Sequence, residues 1–492
     1  MVKSSRVPRM RRAVGATTLG VAATLIAPAA ALAQDGPTLE TIAGELNITW
    51  VIVATVLVFF MQAGFALLEI GFSRGKNAGM GIAKILVNFS IATIGWWAAG
   101  FAIAFGGAGW LAGDSGFLFQ FGREYTLFGE DVTASGADAS FFIFQFMFAA
   151  VSLAIVWGTT LERMKFAAYI PFAIVFSVLI YPLIAHWGFG GGLFAADRLG
   201  GLFGDGVQDF AGSSVVHLTG ATAAFAALLL LGPRKGKYTA DGQPRAIPGH
   251  NMPLFGLGVI ILWLGWFGFN GGSTLGTGGG RFAEVVAVTN LGAAGGVLGA
   301  MIVGRLKQKT LDIGMIGNGA IAGLVGITAP SGYVEFWAAP IIGLVAGAIV
   351  VLGVLAIDKK LDDPVGALSA HGLAGIWGTL ACGLFTSDRL AETVGIGKPG
   401  LFYSGEFGQL GVQALAVIFT FVTVFVLSWT TLKLIQATIG LRVSVQEEDA
   451  GLDISEHGMY GYPEQFIPAA ELVGYGGGPD RTVPPARVPT EI

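Results

Sequence analysis

Asp209-Phe-Ala-Gly-Ser-Ser-Val-Val-His217 and Asp363-Pro-Val-Gly-Ala-Leu-Ser-Ala-His371 each set an Asp eight residues ahead of a His inside an apolar stretch. Both carry Gly at the third position after the Asp, Gly212 and Gly366. Ionisable residues in a membrane span are costly, so each is a candidate functional group. If the two segments run in opposite directions, the two pairs converge on one site. Eight residues of helix place each His about 12 Å below its Asp. With the Asp residues at opposite faces of a hydrocarbon core roughly 30 Å thick, the imidazoles end near the midplane, about 6 Å apart in depth. Such a pair suits a path for something polar and protonatable.

The surrounding composition is that of a polytopic membrane protein: 492 residues, 53% hydrophobic and only 12% charged. The 77 glycines suit membrane helices packed through small side chains. Runs long enough to cross a bilayer lie near 47–72, 80–105, 140–161, 166–187, 209–232, 253–273, 284–304, 312–330, 335–357, 366–386 and 408–437, which makes eleven spans. Alternate connections hold Arg74 and Lys76, Arg163 and Lys165, Arg234, Lys235, Lys237 and Arg245, Arg305, Lys307 and Lys309, and Lys359 and Lys360. The other loops hold Arg123, Arg198, Arg281, Arg389 and Lys398. Thirteen basic residues against five place the N-terminus outside and the C-terminus in the cytoplasm.

The expected fold is therefore all-α and polytopic, with eleven transmembrane helices. Five spans precede the loop 233–252 and five follow it before a final long helix. Two halves with an odd number of spans have opposite topology, so the five-helix repeat is inverted, and the Asp/His segments close each half. That arrangement puts transporter sites at the repeat interface near the midplane.

The termini read differently from the middle. Lys3, Arg6, Arg9, Arg11 and Arg12 precede an Ala-rich stretch and Ala31-Leu-Ala33, which suggests a signal peptide over 1–33, the alternative being an uncleaved anchor. A transmembrane domain follows over 34–439, then a polar tail over 440–492, expected to be disordered after Tyr462. The tail is too short for a catalytic domain and long enough for a regulatory dock. No Walker loop, dinucleotide fingerprint or zinc-spaced cluster appears, so neither an enzyme nor a bound cofactor is expected. Cys382 is the single cysteine, which excludes an intrachain disulfide and suits plain packing.

Each candidate residue has a structural alternative. Asp209 suits a helix N-cap and also attraction of a cation into a vestibule. Phe144 and Phe148 share a helix face, and Trp266-Phe-Gly-Phe-Asn270 leads into Gly271-Gly-Ser273. These aromatics fit an interfacial belt. They equally fit a ring of faces holding a small cation, with a hydroxyl as acceptor. Asn88, Asn270, Asn290 and Asn318 read as interhelical hydrogen bonders, and Glu69 as a structural partner of Arg74 or Lys76.

The chain closely resembles the ammonium transporter (Amt/Mep/Rh) family, its bacterial Amt branch in particular. The resemblance is carried by the Asp209–His217 block running on through Gly232-Pro-Arg234, by Met61-Gln-Ala-Gly-Phe-Ala-Leu-Leu-Glu69, by Trp266–Asn270, by Asn318-Gly-Ala-Ile-Ala-Gly-Leu-Val325, and by Asp362–His371. The resemblance implies a homotrimer with one pore per protomer. Phe148, Phe189 and Ser273 would belong to an outer ammonium site with Trp266 close by. Phe148 and Phe269 would be stacked rings closing its floor, His217 and His371 the twin histidines of the pore, and Asp209 the acidic residue beneath the vestibule. Gly451-Leu-Asp453…His457-Gly458 resembles the segment used with PII-type signalling proteins. Two positions depart from the pattern: Phe189 stands where many members carry Trp, and Gly366 where some carry Asp.

The expected function is electrogenic ammonium uptake across the cytoplasmic membrane. Ammonium is recruited outside, deprotonated near Asp209, and passed as ammonia between the histidines while the proton travels separately. The rival readings are an ammonium sensor signalling through its tail and a neutral ammonia or carbon dioxide channel.

Overall fold

In the computed structural model, residues 37–467 are described, and the expected signal peptide lies outside them. The chain divides into two units, 1–47 and 48–492. Of the first, the described residues 37–47 enter helix α1 (Leu39–Phe72). The remaining long apolar helices are α2 (Gly75–Phe105), α3 (Gly136–Gly158), α4 (Phe166–Gly188), α5 (Ser213–Leu231), α6 (Met252–Gly272), α7 (Gly278–Gln308), α9 (Ala338–Ile357), α10 (Leu368–Phe385) and α11 (Gly408–Thr438). The shorter apolar helix α8 (Ile313–Thr328) completes the set of eleven that the hydropathy pattern anticipates.

Local chemistry sets the ends. Ser135 caps α3 in a reciprocal box with Asp138. Asn251 accepts from Leu254 N at the start of α6, and Asp312 from Met315 N at the start of α8. In α4 the helix widens into a π-helical turn at Phe176–Ile180 just before Pro182, which has no N–H to give to the regular ladder. Close packing of α7 against α9 depends on glycine: a Cβ on Gly343 would stand 1.9 Å from Gly292 O, and one on Gly347 2.1 Å from Gly296 O.

Two features differ from the sequence reading. A two-stranded antiparallel hairpin, β1 (Glu124–Leu127) with β2 (Glu130–Thr133), interrupts the all-α pattern between α2 and α3. The tail forms three short helices, α12 (Val445–Ala450), α13 (Leu452–His457) and α14 (Pro463–Phe466). The last of these lies where disorder is expected, and the rest of the tail falls outside the described residues. α13 is tied to the start of α2, where the Asp453 carboxylate accepts from Gly79 N and Met80 N at 2.9 and 2.8 Å. Lys76 Nζ donates to Glu448 O and Asp449 O. We call this end of the bundle the tail side and the opposite end the vestibule side.

Buried ion pairs brace the tail side. Arg234 grips Asp362 through two guanidinium hydrogen bonds of 2.9 Å and a backbone N–H bond of 2.7 Å. Burial alone would push the Asp362 carboxyl up. The hydrogen bonds and charge of Arg234, with the charge of Arg163, outweigh it and hold Asp362 at about 2. This clamp fixes the loop leading into the second Asp/His segment.

Candidate functional site

Both histidines sit in π-helical turns, Ser213–Leu218 and Leu368–Leu373. Such turns often mark functional sites because they redirect one side chain without breaking the helix. The first is built by Asp209 and Gly212. Gly212 takes φ +112°, a conformation open to glycine, and its carbonyl accepts from His217 N five residues on. Asp209 Oδ1 accepts from Gly212 N and Ser213 N at 2.9 and 2.7 Å, and Oδ2 from Ser214 N and Val215 N at 2.9 and 3.0 Å. Four backbone donors occupy this carboxylate, so the capping alternative describes it. A proton on Asp209 would displace one of those bonds.

The second turn repeats the device more loosely. Gly366 takes φ +74° and Asp363 Oδ2 accepts from Leu368 N at 2.8 Å, while Oδ1 is buried with no hydrogen-bond partner among the described residues. A Cβ on Gly366 would meet Asn318 Nδ2 at 2.9 Å and Val354 Cγ2 at 3.0 Å. Asp at this position would therefore need both neighbours to move and a strained backbone.

On the vestibule side, a cavity of about 250 Å3 is bordered by Phe148, Phe189, Asp209 and Ser273. Phe148, which borders it, is stacked on Phe269, with centroids 4.0 Å apart and planes 12° from parallel. Phe189 meets Phe148 edge to face at 6.5 Å. Ser273 Oγ donates to Phe269 O at 2.8 Å, which leaves its lone pairs to accept from an N–H donor. Gln145 also borders this cavity, its Oε1 buried without a partner among the described residues. The sequence reading missed it, although a Gln inside the Phe-rich α3 is the signal that marks it.

One aromatic assignment changes. Trp266 is fully buried and lies flat on His217, with ring centroids 5.2 Å apart and planes 18° from parallel, and its Nε1 donates to Thr328 Oγ1. It belongs beneath the stacked rings, not in the vestibule. Trp187 donates to Leu111 O and packs on Phe194, so it does not replace the Trp absent at Phe189.

Below the rings, His217 Nδ1 and His371 Nδ1 stand 3.3 Å apart. One Nδ1–H can donate to the other's lone pair, which forces opposite tautomers on the two rings. His217 is fully buried and its Nε2 has no partner among the described residues. His371 borders a second, smaller cavity of about 20 Å3 with Phe65, Glu69 and Asn318. The succession is therefore aromatic vestibule, stacked rings, paired imidazoles and a smaller cavity.

The remaining polar expectations divide. Asn270 donates to Thr289 Oγ1, Asn290 accepts from Trp263 Nε1, and Asn318 donates to Val365 O, each between different segments. Asn88 has neither amide atom partnered among the described residues. Glu69 pairs with Lys84, not with Arg74 or Lys76, because Arg74 engages Glu162. Cys382 is buried and free.

A family model described as Ammonium Transporter Family matches residues 49–462. The chain is 42% identical to "Ammonium transporter Amt2" of Archaeoglobus fulgidus over 445 residues, covering 88% of this chain and 92% of the relative. It is 34% identical to "Ammonium transporter" of Bacillus subtilis, covering 84% and 97%. Among solved structures, "Sensor Amt Protein" superposes with a TM-score of 0.77 at 35% identity, covering 85% of this chain and all of that one. Candida albicans Mep2 superposes with a TM-score of 0.73 at 28% identity, covering 82% and 87%.

Proposed function

The chain belongs to the ammonium transporter family, and from that premise we propose that it carries out electrogenic ammonium uptake through the column of residues below the vestibule. The observation that carries this reading is the 3.3 Å imidazole pair beside the stacked rings of Phe148 and Phe269. A dehydrated cation is too costly to pass an apolar midsection, whereas neutral ammonia is not. Ammonium is held at the vestibule by the faces of Phe148 and Phe189 and by the Ser273 hydroxyl. At the rings it hands a proton to the imidazole pair, ammonia moves on past His217 and His371, and the proton follows by exchange between the two Nδ1 atoms. Asp209 supports this by fixing the turn that aims His217 and by lending negative charge to the vestibule wall.

The protein resides in the cytoplasmic membrane as a homotrimer, with the signal peptide 1–33 removed, the vestibule outside and the tail in the cytoplasm. The thirteen-to-five distribution of basic residues supports that orientation. The tail receives a PII-type protein, a reading supported by the resemblance of Gly451-Leu-Asp453…His457-Gly458 to the segment used with such proteins. Cells lacking their own ammonium transporters test the reading. The parent restores growth at limiting ammonium, and a chain with His217→Asp does not discriminate against potassium. Failure of the parent to restore growth while present in the membrane would count against uptake.

A second reading, an ammonium sensor signalling through its tail, is favoured by the 35% identity to the Sensor Amt Protein. Deletion of 440–492 separates the two: a transporter keeps its flux and loses regulation, while a sensor loses its output.

A further inference from the structure

An ion pair withdrawn from solvent joins α1 to α2. Lys84 Nζ lies 2.5 Å from Glu69 Oε2, and the two side chains are 0% and 1% exposed. Lys84 is further surrounded by Trp157 O at 3.4 Å and by the Tyr169 ring, whose centroid is 5.9 Å away. Glu69 Oε1 is buried with no hydrogen-bond partner among the described residues. Glu69 also borders the cavity beneath His371, whose other walls are mainly the apolar Phe65, Ile155, Ile321 and Val365. A space of this size admits one water-sized molecule, and ammonia is of that size.

As a structural brace, this pair is a poor choice. Desolvation of two buried charges offsets their attraction, and apolar residues of similar volume often serve equally well. A charge kept inside a membrane span, on a residue that borders the cavity beside His371 and keeps an unpartnered buried oxygen, points instead to use.

We infer that Glu69 returns a proton to ammonia as it leaves the histidine pair, with Lys84 stabilising the carboxylate that remains. This rests on the reading that ammonia and its proton part company above the histidines. The proton arriving through His217 and His371 first protonates Glu69. The Glu69 O–H bond then breaks as the ammonia lone pair forms its fourth N–H bond. Ammonium departs toward the tail side, and the carboxylate is again balanced by the Lys84 ammonium. One proton and one ammonia enter, and one ammonium leaves.

Glu69→Gln keeps the shape and removes the acid. The swap Glu69→Lys with Lys84→Glu keeps opposite charges between α1 and α2 but moves the carboxyl away from the cavity. Ammonium-jump currents are measured in proteoliposomes, with gel-filtration profiles as the check on folding. Glu69→Gln is expected to lower the current by about tenfold or more, as loss of a proton-transfer group does. The swap is expected to elute like the parent without recovering its current. If Glu69→Gln does not fold, the double variant Glu69→Gln with Lys84→Gln replaces it under the same expectation. Parental current in the neutral variant, or in the swap, would overturn the inference and leave the pore reading intact. Absence of current in the parent itself would overturn the pore reading first, and the inference with it.

Discussion

The two Asp/His segments share a backbone device and differ in what surrounds it. Around His217 the backbone is saturated and the packing aromatic: Asp209 accepts four backbone N–H groups, and the imidazole packs against Trp266 and Phe269. Around His371 the chemistry is left open. Asp363 keeps an unpartnered oxygen, and the imidazole borders a cavity shared with Glu69. Burial pushes the Asp363 carboxyl up to about 6, against the pull of its backbone hydrogen bonds. One half of the repeat thus excludes water and fixes geometry, while the other offers proton-exchanging groups. A symmetric backbone with asymmetric side chains suits a path along which a molecule changes its protonation state.

The largest effect expected from this contrast is on folding. Asp209→Ala strands four buried donors and is expected to cost about 3 kcal/mol or more, read as loss of folded protein or a large drop in the unfolding midpoint. Asp363→Ala removes one capping bond and is expected to cost about 1 kcal/mol. Equal losses would break the comparison.

Selectivity comes next. His217→Asp puts a carboxylate in the pore itself, where the parent has an imidazole, and a potassium current is expected to emerge beside that of ammonium. If the variant excludes potassium as the parent does, the imidazole pair is not the selective element.

Acid sharpens the contrast further, because the Arg234–Asp362 clamp serves the second segment. Asp362 titrates near 2 in the folded protein, below its ordinary range, so its contribution is present above about pH 4 and lost as pH falls toward 2. The parent is expected to lose on the order of 2 kcal/mol across that window by thermal unfolding, and Asp362→Asn to lose less. The smallest effect belongs to the vestibule. Phe189→Trp is expected to lower the ammonium concentration for half-maximal current about two- to fivefold, since indole is the better cation–π partner.

Much of this layout could be read before any coordinates. Hydropathy located the eleven apolar helices because membrane spans announce themselves by length and composition. The eight-residue Asp-to-His spacing anticipated that the two histidines meet, and the structure brings them to hydrogen-bond distance. Side-chain direction was harder. The family resemblance sets Trp266 close to the outer site, as part of the aromatic run that leads into Ser273. On α6, however, Ser273 lies one turn from Phe269 toward the vestibule, and Trp266 one turn the other way. Partner choice was harder still. Glu69 has Arg74 and Lys76 nearby in sequence, but its partner Lys84 comes from the next helix, a contact set by packing alone. The tail helices escaped notice because short polar segments carry little periodicity. They are held by specific contacts such as Asp453 with the start of α2.

The central claim is that a cation is recognised at the vestibule and that its charge crosses with the ammonia. The transient current of purified protein in proteoliposomes after an ammonium jump, with potassium as control, tests it most directly. The expected result is an inward current specific to ammonium whose decay shortens as more protein is reconstituted. Ammonium binding without any current would contradict the account and return the vestibule to a sensor or a neutral gas channel.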